Sequence, residues 1–398
     1  MTSQTFEQLL NEQRDGWTLA RPFYREPAIF DCEIEYLFSH EWLFVGHTGR
    51  IPNPGDYFTY TIGREQLIII RAQDGGVNAV WNVCRHRGSL ICLEPCGSVK
   101  KLVCPYHQWV YDTDGSLLAA RQMPDDFDKT EFGLDKARTH VFEGFIFINL
   151  SPDAPDFVPP HEAPMFPVHD FAGAKICHRE EYSVRANWKV VLENFVECYH
   201  CGTVHPEYSQ AMAGASGSFL SAKESEGQAG CTFSERKATV AELGLNPHLH
   251  YFLLRPGFVT QSMDGKPVAP LMGTYPAYSG MTWCSWLGWT MEMEACPDYA
   301  AVFRFTPISA THTNVEGTWL VRGDAVEGVD YETGRVTAFW KRTGQQDWDI
   351  CERVQQGIES TRYVPGRLSL SEAGVHNFLA EYRRRMAVTI ATHQENEP

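Results

Sequence analysis

The sequence predicts an α+β protein of two domains. Three observations carry this: strand-and-turn patterning over residues 42–150, six prolines crowded into residues 151–170, and helical periodicity on both sides of an aromatic and β-branched stretch at about 270–322. At 398 residues and 43% apolar composition, the chain can bury more than one core.

Residues 1–41 are read as an N-terminal helical extension. From 42 to 155 the pattern is all-β. Leu67, Ile68, Ile69 and Ile70 run into the Asp74-Gly75-Gly76 turn, and Val77, Ala79, Val80 and Trp81 follow as the return strand. The same signal recurs in Trp109-Val110-Tyr111 before the Asp114-Gly115 turn, and in Phe145-Ile146-Phe147-Ile148. The prolines then interrupt helix and sheet ladders alike, which places a domain boundary there and a second domain over 156–398. In it, Asn187 can cap a helix through Trp188, Val191, Leu192, Phe195 and Tyr199, whose spacing of three and four is helical. A broad antiparallel sheet is expected over 270–322, and a last helix over about 336–359.

A formal charge of −16 argues against nucleic acid or an anionic membrane as partner. Glu7, Glu12, Arg14, Asp15 and Arg21 break up the first thirty residues, so no apolar export or anchoring segment is expected there, and the expected location is cytoplasmic. Twelve cysteines are few for a disulfide scaffold of this length, which favours metal ligation for those that fall in pairs.

Two runs carry chemistry. The first is Cys84-Arg85-His86 with Cys104-Pro105-Tyr106-His107, a C-x-H-x17-C-x2-H pattern of two thiolates and two imidazoles. That donor set suits a [2Fe-2S] centre with sulfur on one iron and histidine on the other, although zinc accepts the same four side chains. Gly88 and Pro105 supply the turns that bring backbone close to the sulfur. Cys92 and Cys96 lie in the intervening loop, either as packing residues or as replacements for the histidines.

The second run is Glu197-Cys198-Tyr199-His200 followed by His205. Glu197 and His200, three apart, would share a helix face, whereas His205 precedes Pro206 and falls where the helix ends. Two imidazoles and one carboxylate leave positions open on an Fe(II) ion for O2 and substrate.

CRHRG, CPYHQW and NWKVVLENFVECYHCGTVHP, in that order, resemble the two signatures of Rieske non-haem iron oxygenases, over about residues 40–360. The resemblance implies an N-terminal all-β Rieske domain holding the [2Fe-2S] cluster through Cys84, His86, Cys104 and His107. It implies a C-terminal helix-grip catalytic domain, an antiparallel sheet with helices, holding a mononuclear iron through His200, His205 and Asp347, with Asp349 as the other candidate acid. Glu197 stands where most ring-hydroxylating relatives carry Asp, at the position that bridges the two redox centres of adjacent subunits in a head-to-tail homotrimer. Electrons would come from a separate flavin and iron-sulfur NAD(P)H reductase.

Glu197, the ECYHC context, Arg255-Pro256-Gly257-Phe258 and the run from Met263 to Pro270 resemble most the branch that oxidises quaternary ammonium compounds. The implied reaction is oxidative N-demethylation of a proline betaine or glycine betaine with release of formaldehyde. An aromatic-ring dioxygenase or a plain electron carrier are the other readings. A methylated ammonium cannot donate hydrogen bonds, so its pocket needs aromatic faces, for which Trp283, Trp286, Trp289, Tyr275 and Tyr278 are available, although aromatics at this density are more often core or strand packing. Arg304 is a candidate partner for a betaine carboxylate, or else for a structural acid.

Overall fold

The computed structural model describes residues 3–158, 165–213 and 249–396. The chain divides into two compact units, residues 38–157 and residues 1–37 together with 158–398. The second division falls inside the proline-rich stretch, of which residues 159–164 lie outside the described residues.

The 38–157 unit is built from strands. β1 (Leu43–His47), β2 (Asp56–Ile62), β3 (Glu65–Arg71), β4 (Val77–Trp81), β5 (Cys96–Ser98), β9 (Lys136–Phe142) and β10 (Phe145–Asn149) form one antiparallel sheet in the order β1-β10-β9-β4-β3-β2-β5. β6 (Leu102–Val103), β7 (Val110–Tyr111) and β8 (Leu117–Ala119) form a second, small sheet. The hairpins fall where the turn residues put them: β3 and β4 flank Asp74-Gly75-Gly76, and β7 and β8 flank Asp114-Gly115. Ile68, Ile70 and Val80 pack with Cys84, Cys104, Trp109 and Tyr111 into a single core, so the thiols belong to the hydrophobic interior.

The other unit has a six-stranded antiparallel sheet, ordered β11 (Lys175–Val184), β16 (His312–Val321), β15 (Ala300–Ser309), β14 (Met291–Ala295), β13 (Met281–Trp286) and β12 (Leu249–Leu253). Its helices are α1 (Ser3–Asn11), α2 (Pro27–Glu33), α3 (Met165–His169), α4 (Trp188–Phe195), α5 (Cys201–Val204), α6 (Pro206–Ala211), α7 (Thr333–Glu359) and α8 (Ala373–Asn396). Strand alternation divides the sheet into two faces. Tyr182, Phe303 and Phe305 project to the face covered by Phe195 of α4 and Trp348 of α7, which stack on each other at 5.3 Å. The N-terminal residues are tied into this unit by a buried cluster: Lys189 Nζ donates to Glu33 Oε1 at 2.5 Å, Tyr382 to the same oxygen at 2.6 Å, and the Trp188 indole to Glu33 Oε2 at 2.7 Å. α2, α4 and α8 thus meet on one carboxylate.

Asn187 caps α4 as expected, its side chain accepting from Lys189 N. The helix does not, however, continue to Tyr199. It ends at Phe195, and Glu197 and His200 sit in the following turn rather than on a shared helix face. The apolar spacing persists past the end, but Glu197 turns its carboxylate back onto the backbone N–H groups of Tyr199 and His200, satisfying donors that a continuing helix would have used internally. Among the described residues, no helix is long and apolar enough to cross a membrane.

Candidate functional site

In the 38–157 unit two loops share one construction. Cys84 O accepts from Gly88 N and Cys84 N donates to Ser89 O, both at 2.9 Å. Cys104 O accepts from Gln108 N at 3.0 Å and Cys104 N donates to Trp109 O at 2.9 Å. The fifth residue of each loop has positive φ, Gly88 at 74° and Gln108 at 59°. Gly88 takes this without strain, whereas Gln108 is held there by its loop.

These loops bring all four predicted ligands together in pairs. The Cys84 thiol meets that of Cys104, and His86 Nδ1 lies 3.1 Å from His107 Nδ1. The thiols are buried and the imidazoles exposed, so sulfur faces the core and nitrogen the surface. His86 stacks on Trp109 at 4.9 Å, and the Tyr111 hydroxyl lies 3.2 Å from Cys84 Sγ. A thiol pair inside and an imidazole pair outside fit a cluster with one iron ligated by each kind of donor. Cys92 is buried, and burial raises its thiol to about 11, while Cys96 is exposed on β5. Both suit residues outside the ligand set.

In the other unit His200, His205 and Asp347 converge. His200 Nε2 and His205 Nε2 are 3.1 Å apart, and Asp347 Oδ1 lies 3.4 Å and 3.0 Å from them. His200 ends the turn after α4, His205 sits between α5 and α6, and Asp347 projects from the middle of α7. Each is oriented by a second side chain. His200 Nδ1 faces Glu197 Oε1 at 2.6 Å, His205 Nδ1 faces Gln346 Oε1 at 2.8 Å, and Asn194 donates to Asp347 Oδ1 at 2.6 Å. Gln346 is itself held by donating to Glu207 Oε2 at 3.0 Å. Both Nδ1 atoms therefore carry hydrogen and leave the Nε2 lone pairs aimed at each other and at a carboxylate.

Lone pairs so placed can share a proton or a metal ion. Burial lowers His200, but hydrogen bonds to Asp347 and Glu197 outweigh it and raise the imidazole to about 9. Burial raises Asp347, yet the two imidazoles hold it below its ordinary value. Two imidazole nitrogens and one carboxylate oxygen gathered in this way are the donor set of a 2-His-1-carboxylate iron centre. Asp349, the other candidate acid, points elsewhere and accepts from Gln345 at 2.8 Å. Cys201 Sγ lies within 4.8 Å of the ring nitrogens but is joined to Cys198 in a disulfide.

The triad opens on a cavity of about 320 Å³, within the usual size for a small-molecule site. Phe195, Tyr208, Phe252, Trp286 and Trp340 supply aromatic walls, and Glu292 and Glu294 supply carboxylates. Of the five aromatic residues proposed from sequence, Trp286 alone is among those lining it. Trp283 projects to the opposite face of β13 and donates to the Tyr275 hydroxyl at 3.2 Å; Tyr278 donates to Ala269 O at 3.1 Å, and Trp289 packs edge-on to Trp188 at 6.2 Å. Arg304 also projects away from the cavity, paired across strands with Met291, and its guanidinium lies 3.3 Å from Glu316, the structural acid. Glu292 and Glu294 were missed, though acids two apart in a strand beside Cys284 and Trp286 were a readable sign.

Gly374, the second residue of α8, lines the same cavity against the turn after α4. A Cβ there would stand 1.8 Å from the Val196 carbonyl oxygen, so only glycine admits this approach.

Residues 41–135 match the Rieske [2Fe-2S] domain, and residues 171–388 match the catalytic domain of the ring-hydroxylating alpha subunit. The oxygenase subunit of glycine betaine monooxygenase from Pseudomonas aeruginosa (strain UCBPP-PA14) is 37% identical over 400 residues, covering 95% of this chain and 91% of the relative. That of carnitine monooxygenase from Acinetobacter pittii is 34% identical over 207 residues, 50% of this chain and 55% of the relative. A solved quaternary ammonium Rieske monooxygenase has the same fold, with TM-score 0.74 at 22% identity over 96% of this chain and 98% of that one. With both domains matched in order and a relative aligned over nearly its whole length, this chain belongs to the Rieske non-haem iron oxygenases, enzymes of a [2Fe-2S] domain and a mononuclear-iron catalytic domain.

Proposed function

We propose that this protein is the oxygenase subunit of a monooxygenase that removes an N-methyl group from a quaternary ammonium compound of the glycine betaine or proline betaine class. The observation that carries the reading is the cavity: the His200-His205-Asp347 triad opens on aromatic faces and carboxylates, and among the described lining residues there is no Lys or Arg. A cation without N–H groups is favoured by such a lining, through ring faces and through carboxyls that ionise beside it, and an anionic substrate is not. The 37% identity to glycine betaine monooxygenase subunits supports the same class.

His200, His205 and Asp347 would hold the iron, and Cys84, His86, Cys104 and His107 the cluster. When bound, iron supplies O2 activation and the cluster supplies single electrons. The chain's own part is to orient and exclude. Glu197 and Gln346 fix the imidazole tautomers, Asn194 fixes the carboxylate, and Phe195, Trp286 and Trp340 keep water from the methyl carbon. Overall, the substrate's N–CH3 takes one oxygen atom from O2 while two electrons and two protons reduce the other to water. The N–CH2OH product breaks its C–N bond and loses a proton, giving formaldehyde and the tertiary amine.

The electrons would come from a separate flavin and iron-sulfur NAD(P)H reductase. Glu197 would link His200 to His107 of the partner subunit in a head-to-tail homotrimer, consistent with the inter-subunit electron transfer described for the quaternary ammonium monooxygenase structure. The test is oxygen uptake by the reconstituted enzyme with a panel of betaines, carnitine and choline, scored by formaldehyde. Formaldehyde stoichiometric with the demethylated amine is expected. Diol from an arene, with no formaldehyde from any quaternary ammonium compound, would overturn the assignment.

A further inference from the structure

Strand pairing aligns Cys284 with Glu294 and Trp286 with Glu292, and alternation puts all four side chains on the cavity face. The two carboxylates are held differently. Glu294 Oε2 accepts from Gln261 Nε2 and from the Thr282 hydroxyl, each at 3.2 Å. Among the described residues, Glu292 Oε1 accepts only a long contact of 3.6 Å from the Cys284 thiol, and Glu292 Oε2 has no hydrogen-bond partner although the residue is 2% exposed. A buried carboxylate oxygen without a donor is costly to keep charged unless a cation faces it. Burial, and for Glu292 also the charge of Glu294 beside it, raises both carboxyls, Glu294 to about 8 and Glu292 well above its ordinary value, so without a cation the pocket holds them as acids and Glu292 ionises as a cation takes the proton's place.

We propose that Glu292, backed by Glu294, is the residue that reads the positive charge of the substrate: its unpartnered oxygen is the counter-charge to a quaternary ammonium group. The match is one of shared deficiency. The oxygen has no donor among the described residues to satisfy it, and a tetraalkylammonium has no N–H to give. They attract through charge and through C–H···O contacts from polarised methyl groups, without competing hydrogen bonds. A metal ion is a poorer occupant, because Glu294 is already committed to Gln261 and Thr282 and the remaining donor is a buried thiol, which burial raises well above its usual value. Trp286 and Tyr208 then act as walls around the cation, while the charge selection belongs to the carboxylate. This role rests on the quaternary-ammonium reading and makes it more specific.

The test compares glycine betaine with 3,3-dimethylbutanoate, in which carbon replaces the ammonium nitrogen at nearly equal shape. KM for betaine and the inhibition constant of the isostere are measured for iron-loaded wild type, E292Q and E294Q, with iron content and the cluster's visible spectrum as checks on folding. Wild type is expected to favour betaine by about tenfold or more, a difference of about 1.4 kcal/mol. In E292Q that preference falls to within about threefold, through weaker betaine binding and equal or tighter isostere binding, a pattern that loosened packing does not produce. In E294Q it falls less.

An E292Q enzyme that keeps the wild-type preference, or loses both ligands equally, overturns the role of Glu292 and leaves the substrate class standing. Wild type binding the isostere as tightly as betaine overturns it without any variant. Wild type taking no quaternary ammonium compound at all overturns the substrate class and this role together.

Discussion

His205 presents Nδ1 to Gln346 Oε1 at 2.8 Å, and Gln346 is the residue before Asp347 on α7. One short stretch of helix therefore supplies a proposed ligand and the group that orients another. Gln346 cannot rotate its amide freely, because its NH2 donates to Glu207, which in turn accepts from Arg342 at 3.0 Å.

Gln346→Leu removes the acceptor for His205 while keeping the side chain's bulk. Iron affinity is expected to fall by about 10- to 100-fold, the usual effect of losing a group that orients a metal-bound histidine. Iron retained against a graded chelator series measures this. The [2Fe-2S] spectrum should not change.

Glu197 is bonded to His200 at 2.6 Å and also supports the turn that carries it. Glu197→Gln keeps an oxygen for the His200 N–H but removes the charge, and is expected to retain mononuclear iron while coupled turnover falls by about 100-fold or more, as a path between redox centres would require. Glu197→Ala also removes the acceptor, so its iron content should fall below that of Glu197→Gln. Turnover by Glu197→Ala at the wild-type rate would show that the carboxylate is only a surface group.

Glu33 and Lys189 have fully buried side chains. Glu33→Ala leaves the ammonium without a counter-charge and Tyr382 and Trp188 without an acceptor, so the variant should lose about 3–5 kcal/mol of stability in denaturant titration. Replacing Glu33 and Lys189 together with apolar residues of matched volume should recover much of that loss.

Burial raises Glu193 to about 7 from an ordinary 4.5, against the hydrogen bond donated by the Tyr24 hydroxyl at 2.7 Å. The folded protein thus binds this proton more tightly than the unfolded chain. Its contribution is fully present below about pH 4.5 and is lost as pH rises through about 7, on the order of 3 kcal/mol in all. Wild type should therefore lose stability relative to Glu193→Gln over that window, because the amide mimics the protonated acid at every pH. Parallel pH curves for the two proteins would refute the assignment.

The features readable in the sequence were those with local rules. Cys84, His86, Cys104 and His107 lie on two short loops whose spacing sets their geometry, and His200 and His205 are close in sequence because they flank one short helix. Asp347 was reachable only through resemblance, since nothing near α7 in sequence says which acid faces inward; Asp347 is buried, and Asp349 faces solvent. The end of α4 at Phe195 was misread because the stop is made by the Glu197 side chain folding back, not by glycine or proline. Arg304 and Trp283 stayed open between cavity and core for one reason: which face of a strand is the cavity face depends on the helices laid against it, and period-two alternation does not say which. The same ambiguity hid Glu292 and Glu294.

The contact between Gly374 and the Val196 carbonyl gives the end of the chain a hand in the chemistry. The first turn of the C-terminal helix acts as a backstop for the peptide that leads into Glu197 and His200, so its position sets how far that peptide can recoil. Variation confined to this helix, which carries none of the proposed ligands, would therefore retune the grip of the proposed iron site without altering a single donor atom.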